Sequence, residues 1–94
     1  MIPENRLPFH PGEILLEEFL KPLRISQVAF ASHIGVPQRT NDLVRGKRGV
    51  TPETAWLLSR ALNTSPEFWT NLQMTFDLTR YRPRREVQAL KPAG

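Results

Sequence analysis

The sequence predicts an all-α domain of five short helices. Apolar residues recur at helical spacing along much of the 94-residue chain, and no segment shows the polar and apolar alternation of a half-buried strand. Each predicted helix after the first begins at a serine, a threonine or a proline, and glycine follows two of them. The chain has no cysteine, so apolar packing must hold this fold without disulfides or thiolate metal sites.

The length fits one domain with three parts. Residues 1–10 are rich in proline, which predicts a flexible N-terminal arm without helix. The domain itself is expected at 11–81, and the basic segment 82–94 is expected to be a mobile tail. No apolar run is long enough for a signal peptide or a membrane span, which favours a soluble, cytoplasmic protein that does not bind a membrane.

The first helix is predicted from a stripe of apolar residues between Glu13 and Leu23. Acidic residues crowd its first two turns, where the positive end of the helix dipole favours them. Pro22 is expected to end this helix at about Lys21. The stripe consists of Leu15, Leu16, Phe19, Leu20 and Leu23.

The second helix is predicted from about Gln27 to His33, with Ser26 as its N-cap and Gly35 just beyond its end. The side expected to be buried consists of Val28, Phe30, Ala31 and Ile34. A third helix begins at Pro37 and ends before Gly46, with Leu43 and Val44 as its buried contacts.

The starts of the fourth and fifth helices share one pattern. Thr51-Pro52-Glu53 and Ser65-Pro66-Glu67 each supply a capping hydroxyl, a proline at the first helical position and an acid at the second. The fourth helix is expected to bury Ala55, Leu58, Ala61 and Leu62, and the fifth aligns Phe68, Trp69, Leu72 and Phe76. We interpret Trp69 and Leu72 as core.

The segment 26–36 has the features of a helix-turn-helix. This motif needs a small residue where its two helices cross and a glycine four residues later, where the backbone turns with positive φ. Ala31 and Gly35 meet both needs, and Phe30, Ile34 and Val36 are placed to anchor the motif in the core. Such a pair of helices is typical of proteins that bind the major groove of DNA.

The charge distribution also favours a nucleic-acid partner. The net charge is +4, and the basic residues lie in two blocks. Residues 24–48 carry five basic side chains against one acid, and the segment from 80 onward has the same balance. Segregated positive charge of this kind is typical of a surface that binds a polyanion.

Three segments in order resemble the HigA-type antitoxins of the lambda-repressor-like (XRE) helix-turn-helix class, and the likeness covers about residues 8–81. They are His10–Leu20, Gly46–Pro52 and Ser65–Gln73. The resemblance implies a five-helix lambda-repressor-like domain that forms a homodimer and represses its own toxin-antitoxin operon. It also implies that the protein binds and neutralises a HigB toxin, a RelE-like ribonuclease that cleaves mRNA.

The sequence departs from the family pattern between Gly35 and Leu43, where it is one residue shorter. Thr40 stands where the family has isoleucine or valine. Because one residue corresponds to about 100° on a helix, the turn must absorb the change or the recognition face is altered.

The third helix carries the residues expected to contact bases. Arginine pairs with guanine O6 and N7, and glutamine or asparagine pairs with adenine N6 and N7. The candidates are Gln38, Arg39 and Asn41. The residues expected to contact phosphates are Gln27, Arg45, Lys47 and Arg48. Each set has a plainer alternative, which is a solvated polar surface.

The resemblance places the contacts of the dimer at the end of the fold, on Phe76, Leu78 and Tyr81. No metal site, cofactor site or catalytic group is expected. His10 and His33 lie far apart and lack the spacing of a zinc motif, and no glycine-rich loop is present to hold a phosphate. Two other functions remain open: a repressor without a toxin, and a protein-interaction module that has lost DNA binding.

Overall fold

The computed structural model describes residues 9–92, which form five helices and no strand. The all-α prediction is confirmed. We number the helices α1 (Pro11–Leu23), α2 (Gln27–Ile34), α3 (Pro37–Val44), α4 (Pro52–Leu62) and α5 (Pro66–Arg80). Of the predicted arm 1–10, all but Phe9 and His10 lies outside the described residues, as does the end of the tail at 93–94. No helix in 9–92 has the length and apolar character needed to cross a membrane.

The helix starts follow the capping residues seen in the sequence. The hydroxyls of Ser26, Thr51 and Ser65 accept hydrogen bonds from the backbone N–H three residues later, at 3.0, 3.3 and 3.1 Å. Each bond satisfies a donor that has no partner within its own helix. These predicted starts are confirmed. They could be predicted because each capping signal lies within four neighbouring residues.

The core gathers residues from every helix around Trp69, which is fully buried. Its indole Nε1 donates to the Thr64 hydroxyl at 2.8 Å, so the one polar atom of this side chain is satisfied. Leu72 packs against this core, as the sequence predicts. The other buried members are Leu15, Leu20, Phe30, Leu43, Val50, Ala55 and Leu58.

Helix α1 does not end at Lys21, so that prediction is wrong. Two α-helical segments, Pro11–Ile14 and Lys21–Leu23, enclose a π-helical stretch at Leu15–Leu20. The Lys21 N–H bonds to the carbonyl five residues back, at Leu16, in the wider register of a π turn. The wider turn relieves the clash that a proline ring makes in an α-helix, and α1 therefore continues past Pro22. Leu23, expected in the buried stripe, is exposed.

Val28 is not part of the buried side of α2, which corrects a second expectation. Its side chain is 80% exposed, whereas Phe30 is buried and Ile34 packs against the core. At 3.6 residues per turn, a residue two positions before Phe30 lies on nearly the opposite side of the helix.

Gly12 sets how closely α1 approaches α3. A Cβ atom built at this position would lie 1.9 Å from the backbone oxygen of Leu43. Only glycine lets the two backbones meet at this distance. The contact seats the end of α3 against the start of α1.

Candidate nucleic-acid interface

The turn between α2 and α3 has the predicted geometry. Gly35 has φ +78°, in the left-handed region. The carbonyl of the buried Ala31 accepts hydrogen bonds from the N–H groups of Gly35 and Val36, at 3.1 and 3.3 Å. Ala31 and Gly35 therefore close α2 and direct the chain into α3, where Pro37 takes the first helical position.

Helix α3 has an inner side that faces the core and an outer side that faces solvent. Thr40 and Leu43 are buried, and they form the inner side of this helix. The predicted base contacts lie on the remaining surface: Gln38 is exposed, and Arg39 and Asn41 are half-buried. The outer side therefore presents amide and guanidinium groups, the types that pair with base edges.

A hydrogen bond joins α2 to α3 at this surface. Gln27 Nε2 donates to Asn41 Oδ1 at 2.8 Å. Gln27 is the first residue of α2, and its half-buried side chain supports Asn41. The bond engages the amide oxygen of Asn41 and leaves its NH₂ group to act as a donor.

Asp42 organises the basic loop 45–49 that follows α3. Its backbone carbonyl accepts from the Lys47 N–H at 2.8 Å, and its carboxylate accepts from Gln38 Nε2 at 3.0 Å. Arg48 Nε lies 3.9 Å from the same carboxylate. The side chains of Arg45, Lys47 and Arg48 are exposed, which leaves them accessible to phosphates. The sequence marks Asp42 only as the one acid in a basic block.

Arg39 forms an ion pair with Glu53 at the start of α4. Together with Gln38 and Arg48, it lines a hollow of about 270 Å³ beside the first turn of α3. The role of Glu53 at this surface was missed from the sequence, where it is explained fully as an acid at a helix start. Its contact with Arg39 depends on how α3 and α4 pack.

Gln73 fixes the far end of the basic loop. Its Oε1 accepts from the Val50 N–H at 2.7 Å, and its Nε2 donates to Asp77 Oδ1 at 2.9 Å. The same amide would lie about 2.8 Å from a Cβ atom built at Gly49, so a larger residue there would have to displace the Gln73 side chain. No sequence signal indicates that Gln73, on α5, binds this loop.

The end of α5 lies beside the basic loop. Lys47, Arg48 and Tyr81 line a cavity of about 340 Å³ there. Of the candidate dimer residues, Leu78 and Tyr81 are exposed, and Phe76 is half-buried. The ring of Phe76 makes an edge contact with His10 at a centroid distance of 4.9 Å. Phe76 therefore serves the fold of a single chain as well.

The two histidines lie at different helix ends. His10 Nδ1 accepts from the Gly12 N–H at 3.0 Å and caps α1, and His33 lies exposed in the last turn of α2. Among residues 9–92, no three histidine, aspartate or glutamate side chains are grouped so that they could bind a metal.

Comparison with known proteins agrees with this geometry. The helix-turn-helix family HTH_3 matches residues 16–69, which is more than half of the chain and includes α2, α3 and the basic loop. The chain belongs to the XRE-type helix-turn-helix family. Antitoxin HigA-1 from Vibrio cholerae is 42% identical to this XRE-type chain, over 94% of the chain and 86% of HigA-1.

Two solved structures of antitoxins on DNA are similar to this XRE-type fold. Pseudomonas aeruginosa antitoxin HigA, solved with the higBA promoter, superposes with a TM-score of 0.76 and 43% identity, over 79% of this chain and 82% of HigA. Antitoxin GraA, solved in complex with its operator, gives a TM-score of 0.82 and 38% identity, over 98% of this chain and 100% of GraA.

Proposed function

We propose that this protein is a DNA-binding antitoxin of the HigA type, which represses its own operon as a homodimer and neutralises a HigB-like toxin. The observation that carries the DNA-binding part is the two-sided character of α3. Thr40 and Leu43 anchor the helix inside, and Gln38, Arg39 and Asn41 remain at the surface beside an exposed basic loop. HigA and GraA, which share the fold, were solved with their promoter or operator DNA.

In the proposed complex, α3 enters the major groove and the loop that follows it lies on the backbone. Gln38, Arg39 and Asn41 contact base edges, and the phosphate contacts come from Gln27, Arg45, Lys47 and Arg48. Two copies joined through the exposed end of α5 would present their recognition helices to half-sites about 34 Å apart, or a multiple of this. The role is one of binding without catalysis, and it is carried out in the cytoplasm.

The division of roles predicts different effects for Arg39→Ala and Lys47→Ala. Loss of Arg39 should cost about 1–3 kcal/mol at one base pair and relax specificity there. Loss of Lys47 should weaken binding to all sequences about equally and lower the slope of log K against log salt by about one. Fluorescence anisotropy with the chain's own promoter and single-base variants measures both effects. Identical profiles for the two variants would contradict the assignment.

The antitoxin part is tested with the product of the neighbouring reading frame. A HigB-like toxin is expected there, a small basic ribonuclease that cleaves mRNA. We expect an equimolar amount of this protein to suppress the cleavage. If cleavage continued in a large excess of the protein while operator binding was intact, the protein would be a repressor without this toxin.

A further inference from the structure

The ion pair between Arg39 and Glu53 joins the recognition helix to the start of α4. Arg39 Nη1 contacts Glu53 Oε1 across fourteen positions of sequence. The side chain of Arg39 is 30% exposed and that of Glu53 is 69% exposed, so the pair lies at the rim of the outer surface of α3. Within the described residues Arg39 has no other hydrogen bond or ion pair.

The helix dipole explains an acid at the second position of α4, but it does not explain why this acid pairs with Arg39. Ion pairs as exposed as this one contribute little to the free energy of folding. A carboxylate beside a surface that binds phosphates opposes binding, because like charges repel. At this interface the charge of Glu53 therefore disfavours DNA binding, except through its contact with Arg39.

The geometry of the pair leaves the other edge of the guanidinium able to bind DNA. Arginine carries five N–H donors in a rigid plane. Glu53 contacts Nη1, which leaves the Nε and Nη2 edge without a partner in the described structure. Two neighbouring donors in one plane are what guanine O6 and N7 require.

Resting on the proposed function, we propose that Glu53 is a positioning residue that fixes the plane of the Arg39 guanidinium and thereby sets the specificity of its base contact. A restrained arginine loses less side-chain entropy when it binds. It also presents its free edge in one direction, so the two donors cannot easily rotate to form hydrogen bonds with a wrong base. Glu53 would thus strengthen discrimination while lowering non-specific affinity.

The chain offers a matched control at Glu67. Glu67 stands at the second position of α5, as Glu53 stands at the second position of α4, and both are exposed. In the described part of the chain, the Glu67 side chain makes no hydrogen bond or ion pair. Glu67→Ala therefore removes the same charge from the same kind of helix end and leaves Arg39 untouched.

The experiment measures the affinity of the full chain for its promoter duplex, for single-base variants and for a scrambled duplex. Glu53→Ala should lose about five- to twenty-fold of the discrimination at the one base pair that Arg39→Ala identifies. Affinity for the scrambled duplex should be equal to or tighter than that of the wild type. Glu53→Gln keeps a hydrogen-bond acceptor, and its discrimination should lie between that of Glu53→Ala and that of the wild type. Glu67→Ala should discriminate like the wild type.

The double variant of Arg39→Ala and Glu53→Ala should discriminate no worse than Arg39→Ala alone. Full discrimination by Glu53→Ala would overturn the inference, as would a loss spread evenly over all base pairs. Thermal unfolding of Glu53→Ala and Glu67→Ala should match, which excludes a loss of folding as the cause.

Failure of the proposed function and failure of the role of Glu53 would give different results. If the wild type bound its own promoter no better than the scrambled duplex, the proposed function would fail and the role of Glu53 with it. If Arg39→Ala identified a base pair and Glu53→Ala left discrimination there intact, only the role of Glu53 would fail.

Discussion

Thr40 lies on the buried side of α3, and among residues 9–92 its hydroxyl has no hydrogen-bond partner. Its side chain is only 2% exposed. A buried polar group without a partner costs free energy, because it has lost its hydrogen bonds to water. Valine has nearly the same shape and no such group.

Thr40→Val should therefore raise the free energy of unfolding by about 1 kcal/mol. Thr54 provides the control, since it is equally buried but its hydroxyl accepts from the Thr51 hydroxyl at 3.2 Å. Thr54→Val removes a satisfied group and should destabilise the protein. Urea unfolding measures both changes. A stability gain at Thr54 or a loss at Thr40 would show that hydroxyl satisfaction does not govern these sites.

At the scale of the helix, a boundary could be predicted from the sequence only where the residues that set it lie within a few positions of one another. The starts of α2, α4 and α5 were predicted because each cap acts on an N–H only three residues away. The end of α1 was not predicted correctly. Pro22 stops a regular α-helix, but in α1 the register widens to π turns just before it and the helix continues. Nothing in local sequence distinguishes these two cases.

The start of α1 depends on His10, whose pKa is lowered from its ordinary value of 6.5. Burial lowers it, nearby Asp77 and Glu13 oppose this effect, and Arg80 adds to it. His10 caps the helix through Nδ1, which accepts the Gly12 N–H only when that nitrogen is unprotonated. The neutral ring is therefore the form that stabilises the fold.

A histidine with a lowered pKa in the folded state binds its proton more readily when the chain unfolds. Its contribution to stability is fully present above about pH 6.5 and is lost as the pH falls toward the folded-state pKa. His10→Asn keeps a capping acceptor that does not titrate. The melting temperature of the wild type should thus fall more than that of the variant between about pH 8 and pH 5. If the melting temperatures of the two proteins fell equally with pH, His10 would not be the source of the pH dependence.

At the scale of the whole molecule, the sequence indicated which residues are apolar or polar but not which helices meet. The outer side of α3 was predicted because its pattern lies within one helix. Glu53, Gln73 and Gly12 were missed as parts of the interface and its support, because each acts on a residue from another helix or loop. Contacts of this kind follow from packing, which local patterns do not encode.

The proposed homodimer also belongs to the scale of the whole molecule, and Leu78 allows it to be tested. Its side chain is 50% exposed, so Leu78→Asp should leave the single chain folded and disrupt an apolar interface between two chains. Sedimentation equilibrium should show a monomer, and affinity for the full operator should fall about a hundredfold because two half-sites are no longer bound together. Leu23→Asp is the control, since Leu23 is similarly exposed on α1. A dimer that survives Leu78→Asp would place the interface elsewhere.

We propose that the outer side of α3 enters the groove of operator DNA, and this placement can be tested directly. At 10.8 kDa, the protein suits an NMR titration of ¹⁵N-labelled chain with its promoter duplex. We predict that the largest shift changes fall on the side chains of Gln38, Arg39 and Asn41 and on the backbone of Lys47 and Arg48. Saturable changes confined to other helices, with α3 unaffected, would contradict the account.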